Sequence, residues 1–235
     1  MKYFALLLLS LYCTAPVQGQ SFDYNRDYEK GLNRSRDKAD ALYYPRLLPR
    51  FLAQDTTLTV TEMLYLMIGY TGLPGFRPYE DVETEKRVYR LNNEAKYKEA
   101  ILVCDTFLQR HPLNQSAIIE KAYAFHQLGR KDSAAFYKEQ FGRIMAAMDW
   151  SGSGHDPESA IFSIGPYDGQ NFVDKYYHAD PGRSGSAEDS KGNFCYKLEM
   201  LFKRDGQKQS VVLFFAVQHA VNTTAAPQGK SPVPK

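Results

Sequence analysis

Only 3 cysteines occur in 235 residues, far apart at Cys13, Cys104 and Cys195, which excludes a disulfide framework and a cysteine-based metal centre. An excess of one charge is missing too. The 29 basic and 27 acidic side chains leave a formal net charge of +2, too balanced for a nucleic-acid binder whose affinity rests on neutralising phosphates. Beyond the N-terminus, long hydrophobic runs are absent: Val211 to Val217 has strand length, well short of the roughly 20 apolar residues that cross a bilayer. Catalytic signatures are lacking as well, with no Gly-x-Ser-x-Gly elbow, no His-Glu-x-x-His and no Gly-rich phosphate loop followed by Lys. Neither a cofactor nor a metal is expected.

Aromatic side chains are plentiful, at 14% of the chain with 17 Tyr and 14 Phe. They bury enough apolar area for a stable core and argue against a disordered chain. The N-terminus carries Lys2, an apolar stretch from Tyr3 to about Tyr12, and then small and turn-forming residues up to Gly19. Residues 1–19 therefore read as a secretory signal peptide cleaved near Gly19, which makes the mature protein extracytoplasmic, in the periplasm or secreted. The bulky Tyr12 disfavours acylation of Cys13. Cys104 sits in a helical pattern and Cys195 in a strand, so both read as buried free thiols in preference to a bridge.

Residues 20–149 have helical periodicity. Tyr24, Tyr28 and Leu32 recur at steps of four, and Leu47, Leu48, Phe51 and Leu52 follow Pro45. Thr59-Val60-Thr61-Glu62 is a capping box, Gly72 and Pro74-Gly75 end the run after it, and Met63, Leu64, Leu66, Met67 and Ile68 predict a helix buried nearly all round. Between about Tyr79 and Met148 an internal repeat emerges. Tyr97 precedes Ala100 by three, Pro112 follows it by twelve, and Ala134 lies one 34-residue period beyond Ala100, with Gly129 at the turn between helices. This resembles a tetratricopeptide-repeat hairpin, although Lys131 stands where the first unit has Tyr97. Tyr89, Tyr97, Tyr123, Phe125 and Tyr137 are candidates to line a concave face, or to pack between helices.

Residues 150–221 read as a small α+β region. Ser151 to Pro157 is turn-rich, Ala160 to Ile164 suits a strand, and Asp168 suits the cap of a short helix carrying Phe172, Val173, Tyr176 and Tyr177. His178 to Gly192 reads as a polar loop. Phe194 to Lys203 alternates like a half-buried strand, and Asp205-Gly206 suits a hairpin turn that sets Leu198 opposite Leu213 and Tyr196 opposite Phe215. Residues 222–235 read as a disordered tail. The expected fold is α+β: an N-terminal helical layer with tetratricopeptide-like hairpins, packed on a small C-terminal antiparallel sheet with one short helix.

Leu91-Asn92, Tyr97 to Pro112, Trp150-Ser151-Gly152-x-Gly154, Pro157-Glu158-x-Ala160, Asp168-Gly169-Gln170 and Gln218-His219-Ala220, taken in order, resemble secreted bacterial proteins grouped as a domain of unknown function. The resemblance implies an extracytoplasmic protein with a tetratricopeptide-like helical part, and it brings no activity with it.

Two polar clusters are candidate sites. Asp168, Gln170, Gln218 and His219 would form a small pocket for a sugar or peptide if the end of the last strand meets the start of the short helix; an ordinary cap and a sheet-edge histidine account for the same residues. His155 with Asp156 and Glu158 has the composition for proton transfer or metal binding, but reads better as a turn. The leading expectation is a non-catalytic binding or scaffold protein of the bacterial envelope, with a peptide, protein or glycan as partner and no nucleic acid. The alternative is a hydrolase using His219 with Asp168, or His155 with Asp156 and Glu158, and either needs its histidine within hydrogen-bond reach of a carboxylate inside a concave pocket.

Overall fold

The computed structural model describes residues 22–225; residues 1–21, which include Cys13 and the segment read as a signal peptide, and residues 226–235 lie outside them. Seven helices come first: α1 (Tyr24–Arg36), α2 (Tyr44–Leu52), α3 (Val60–Thr71), α4 (Pro78–Asn93), α5 (Tyr97–Leu108), α6 (Gln115–Gln127) and α7 (Lys131–Ser151). Then follow β1 (Ile161–Phe162), α8 (Asp168–Asn171) running into a π turn (Phe172–Tyr176), β2 (Asp180–Glu188), β3 (Phe194–Arg204), β4 (Gln207–Ala216) and α9 (Gln218–Ala225). The fold is α+β, with packed helix pairs leading into a four-stranded sheet. Among the described residues no helix is long and apolar enough to cross a membrane.

Local chemistry explains where the helices begin. The Asp23 carboxylate accepts the Arg26 N–H at 2.8 Å to start α1, and Asn114 accepts the Ala117 N–H at 2.9 Å to start α6. At α3 the capping box is complete: Thr59 Oγ1 accepts the Glu62 N–H at 3.1 Å, and Glu62 Oε2 accepts the Thr59 N–H at 2.8 Å. Leu64, Leu66, Met67 and Ile68 have no exposed surface, so α3 is enclosed on most of its circumference, with Tyr65 half-buried and α1, α2 and α7 packed against it. Fully burying each of these side chains stabilises the fold by about 1.5–3 kcal/mol. A second, smaller apolar cluster joins Val88 and Leu91 of α4, Ala100 and Cys104 of α5, and Ala117 and Ala124 of α6. Cys104 and Cys195 are free and buried.

The strand order is β1-β4-β3-β2. Asp205 and Gly206, at φ 52° and 78°, make the turn joining β3 to β4. Leu198 pairs with Leu213 and Tyr196 with Phe215, the register the alternation predicts. Three expectations need correction. The sheet is mixed, because β1 pairs parallel with β4. The polar segment read as a loop is largely β2, an antiparallel edge strand beside β3. With one neighbour and exposed faces, an edge strand needs no apolar alternation, and Pro181 and the bulge between Pro181 and Ser184 interrupt its ladder, which blunts the free edge. Lastly, the strand stops at Ala216 and α9 runs on to Ala225, so residues 222–225 are helical and not tail.

Two glycines of α7 and its end separate close approach from helix propensity. A Cβ at Gly152 would stand 2.4 Å from the Ala160 carbonyl oxygen, a main-chain atom, whereas one at Gly142 meets nothing within 4 Å. Gly152→Ala is expected to destabilise by about 3 kcal/mol and Gly142→Ala to stabilise by about 0.5–1 kcal/mol, measured by urea denaturation. Equal effects would contradict this packing of α7 on β1.

Candidate functional site

Two acidic residues of α4 lie on its inward side, while Glu80, Glu83, Lys86, Arg87 and Arg90 face solvent. Pro78 opens the helix; Asp81 and Glu85, four apart, continue into Val88, Leu91 and Asn92, so two carboxylates occupy the stripe that otherwise packs against the protein. Asp81 Oδ2 lies 3.1 Å from His111 Nδ1, and the Tyr70 hydroxyl is 3.2 Å from the same nitrogen, while the His111 ring stacks on Phe107. Glu85 Oε1 accepts from Asn114 Nδ2 at 2.6 Å. Burial pushes the Glu85 carboxyl above the usual range, and the Asp81 charge adds to the effect.

Asp168, at the start of α8, is 8% exposed. It does not cap the helix ahead of it; its Oδ2 reaches back to accept the Gly165 N–H at 2.7 Å. Burial, with a contribution from Glu85, moves this carboxyl up to about 8. Tyr70, Asp81, Glu85, Asn114, Gly165 and Asp168 share a small polar pocket of about 20 Å³. Glu85 also belongs to a larger groove of about 360 Å³, open between α4 and the α8 segment, with α6 as its floor. Tyr89, 55% exposed, and Tyr167, 41% exposed, supply aromatic surface. Gln170, Lys86 and Lys175 bring polar heads, and Asn171 Nδ2 donates to Ser116 Oγ at 2.9 Å, tying α8 to α6. Such a groove can hold a ligand through stacking on two phenol rings and hydrogen bonds to carboxamide, ammonium and carboxyl groups.

Among the sequence candidates, Asp168 lines the small polar pocket and Gln170 the larger groove beside it. Gln218 and His219 do not join them. Gln218 opens α9, where its Oε1 accepts the Phe194 N–H at 2.7 Å and its Nε2 donates to Asn222 at 2.6 Å, which closes β3 onto α9. His219 is 4% exposed, and its ring lies among Phe162, Tyr28, Tyr24 and Phe76 with centroids 4.9 to 6.2 Å away. The Tyr24 hydroxyl accepts the His219 N–H and lies 3.2 Å from Nδ1, while Nε2 has no hydrogen-bond partner. Burial pushes this imidazole down to about 4, opposed by the adjacent main chain of Ser163 and Ile164. His219 is thus a helix residue of the core and not the end of a strand.

His155 is exposed. Beside it Asp156 accepts from the Ser159 N–H at 2.7 Å and the Ser159 hydroxyl at 2.8 Å, and Glu158 accepts the Ser190 N–H at 2.7 Å. Both carboxylates are thereby committed to holding turns. Among the described residues no group of three His, Cys, Asp or Glu side chains is placed to hold a metal ion. Of the aromatic candidates, Phe125 and Tyr137 stack on each other and Tyr97 meets Tyr123 edge-on, so only Tyr89 and Tyr123 stay largely open to solvent.

The profile of a domain of unknown function, DUF4919, matches residues 32–179, well over half of the chain. The chain belongs to this family. The match runs from α1 through the π turn and so takes in every residue of the groove except Pro181, while β2, β3, β4 and α9 lie beyond it. No curated protein and no solved structure matches the chain.

Asp168 and His219 give the protein a testable pH signature. The Asp168 carboxyl keeps its proton in the fold up to about 8, whereas the unfolded chain loses it near the ordinary 3.8. Unfolding therefore releases a proton between these values, and stability falls as pH rises, by at most about 1.4 kcal/mol per pH unit. His219 acts oppositely, but only between about 4 and 6.5, where the unfolded chain takes up a proton that the fold refuses. Between pH 6.5 and 8 the carboxyl effect stands apart. Asp168→Asn, which retains an acceptor for the Gly165 N–H, is expected to flatten the decline seen by chemical denaturation across that window; an unchanged slope would refute the assignment.

Proposed function

We propose that this member of the DUF4919 family is a non-catalytic binding or scaffold protein of the bacterial envelope or secreted fraction, and that it takes a peptide, protein or glycan ligand in the groove between α4 and α8. The observation that carries the reading is the pairing of two exposed phenol rings, Tyr89 and Tyr167, across a groove whose floor is set with hydrogen-bonding side chains. Aromatic surface held in the open above fixed polar groups favours recognition by stacking and hydrogen bonding.

The extracytoplasmic location rests on the N-terminal nineteen residues. A tetratricopeptide-like character for α4 to α7 is supported by the fully buried Ala100, by Gly129 at φ 71° between α6 and α7, and by the spacing of Ala134, which is half-buried. The hydrolase alternative draws no comparable support. Among the described residues neither His219 nor His155 bonds a carboxylate, and the histidine that lies against one, His111 on Asp81, is stacked on Phe107 within the fold.

Arrays of immobilised glycans and of peptides test the proposal directly. The protein is expected to be retained by a defined subset, and Tyr89→Ala combined with Tyr167→Ala should weaken retention by about tenfold or more without lowering the melting temperature. Equal retention of the double variant, or no retention on either array, would overturn the reading. Turnover of an arrayed substrate would replace it with catalysis.

A further inference from the structure

A second concavity lies on the other side of α6. Ile119 and Tyr123 of α6 face Ala134 of α7 across a cleft of about 520 Å³, and Lys131, Lys138 and Lys175 stand around it. Lys131 and Lys138 are seven residues apart on α7, which places them about 10 Å apart along one side of the cleft. Both are exposed, and neither ammonium has a carboxylate partner among the described residues; the other ion pairs of the fold use different cations. Lys175 is paired with Asp174 at 2.9 Å.

The opposing charge within the cleft is small. Glu120 is the carboxylate there, and its Oε2 already accepts from Asn92 Nδ2 at 2.7 Å, while burial holds its carboxyl above the usual range. An apolar floor with unpaired ammonium groups at its rim is complementary to a ligand that is apolar on one side and negatively charged along the other. A stretch of polypeptide with Glu or Asp at helical spacing meets both requirements, since its acidic side chains recur at intervals that match Lys131 and Lys138.

We infer that the cleft between α6 and α7 is a docking site for an acidic amphipathic peptide segment of a partner protein, with Lys131 and Lys138 pairing its carboxylates and Tyr123 and Ile119 receiving its apolar face. The inference deepens the binding reading and rests on it, because Glu120 and Lys175 line both this cleft and the groove above, so that the two form one continuous surface along α6. The ligand that lies across Tyr89 and Tyr167 thereby acquires a chemical class.

The test uses the purified protein and two fluorescent peptides of about four helical turns: one with Leu on one face and Glu on the other, and a counterpart with Lys in place of Glu. Fluorescence anisotropy should show saturable binding of the acidic peptide, weak or absent binding of the basic one, and loss of affinity as salt rises from about 50 to about 500 mM. Lys131→Glu with Lys138→Glu, both on the exposed surface, should weaken the acidic peptide at least about tenfold with an unchanged circular-dichroism melt, whereas Tyr123→Ala should weaken it without altering the salt dependence. Absence of binding, equal binding of both peptides, or insensitivity to the lysine reversals overturns the assignment. So does lysine-dependent binding of anionic vesicles, or dimerisation of the protein through this face, where the peptide fails. The two readings separate cleanly: a Tyr89 and Tyr167 effect on array retention with no lysine effect on the peptide leaves the groove standing and removes the cleft, and the reverse pattern does the opposite.

Discussion

A helix that is apolar all round cannot rest against a single neighbour. The run from Met63 to Ile68 leaves α3 with no side able to face water at low cost, so the surrounding elements are obliged to enclose it. α1, α2 and α7 pack directly against it. The same continuous core reaches Ile161 and Phe162 of β1 and Leu198, Leu213 and Phe215 of the sheet, so the helices and the strands share one interior. The length of α7 matters here. It runs from the second apolar cluster's neighbourhood beside α6 down to Gly152, where the chain turns tightly against Ala160 and enters β1.

Enclosing α3 in this way leaves Asp81 and Glu85 of α4 in the seam between the helical layer and the sheet segment. Buried charge is expensive unless it is paired or neutralised, and both solutions occur within this seam. Asp81 is set against His111. Asp168 retains its proton, and the Gly165 N–H satisfies one of its oxygens. The consequence is positional: the Asp168 carboxyl holds the Gly165 N–H at 2.7 Å, two residues before Tyr167, which ties down the segment from which Tyr167 emerges. The aromatic wall of the groove is therefore set by the same polar interactions that make the seam tolerable.

How much of this was legible in the amino acids depends on how much each residue buries. Capping at Thr59 and the β3–β4 register are strongly written, because the first is a local hydrogen-bond pattern and the second would place every apolar side chain on the wrong face if shifted by one residue. β2 is not written that way. Its residues face solvent, so nothing selects for alternation, and its pairing with β3 depends on main-chain groups that no side chain advertises. His219 misleads for a related reason: an imidazole at the end of an apolar strand suggests a polar site, but the ring packs as an aromatic among four others and leaves its charge behind. Gln218 and the turn carboxylates Asp156 and Glu158 likewise each accept from a main-chain donor within the fold. The signal for Glu85 was present, in the form of Asp81 and Glu85 falling in register with Val88 and Asn92 on α4. A charged residue repeated in the buried stripe of a helix marks a polar seam, and reading that helix only for its apolar positions conceals it.

The groove owes its shape to a departure from regular helix. After one turn of α8, residues Phe172–Tyr176 widen into a π turn, which rotates the side chains that follow relative to an α-helical path. Phe172 and Val173 are buried, Phe172 edge-on to Phe215 of β4, while Asp174 and Lys175 are delivered to the groove. With α8 also tied to α6 through Asn171 and Ser116, the α8 wall is anchored to the floor of the groove. In the proposed binding role, a surface held this way would lose little freedom, so modest stacking and hydrogen-bonding energies would not be consumed by ordering the protein.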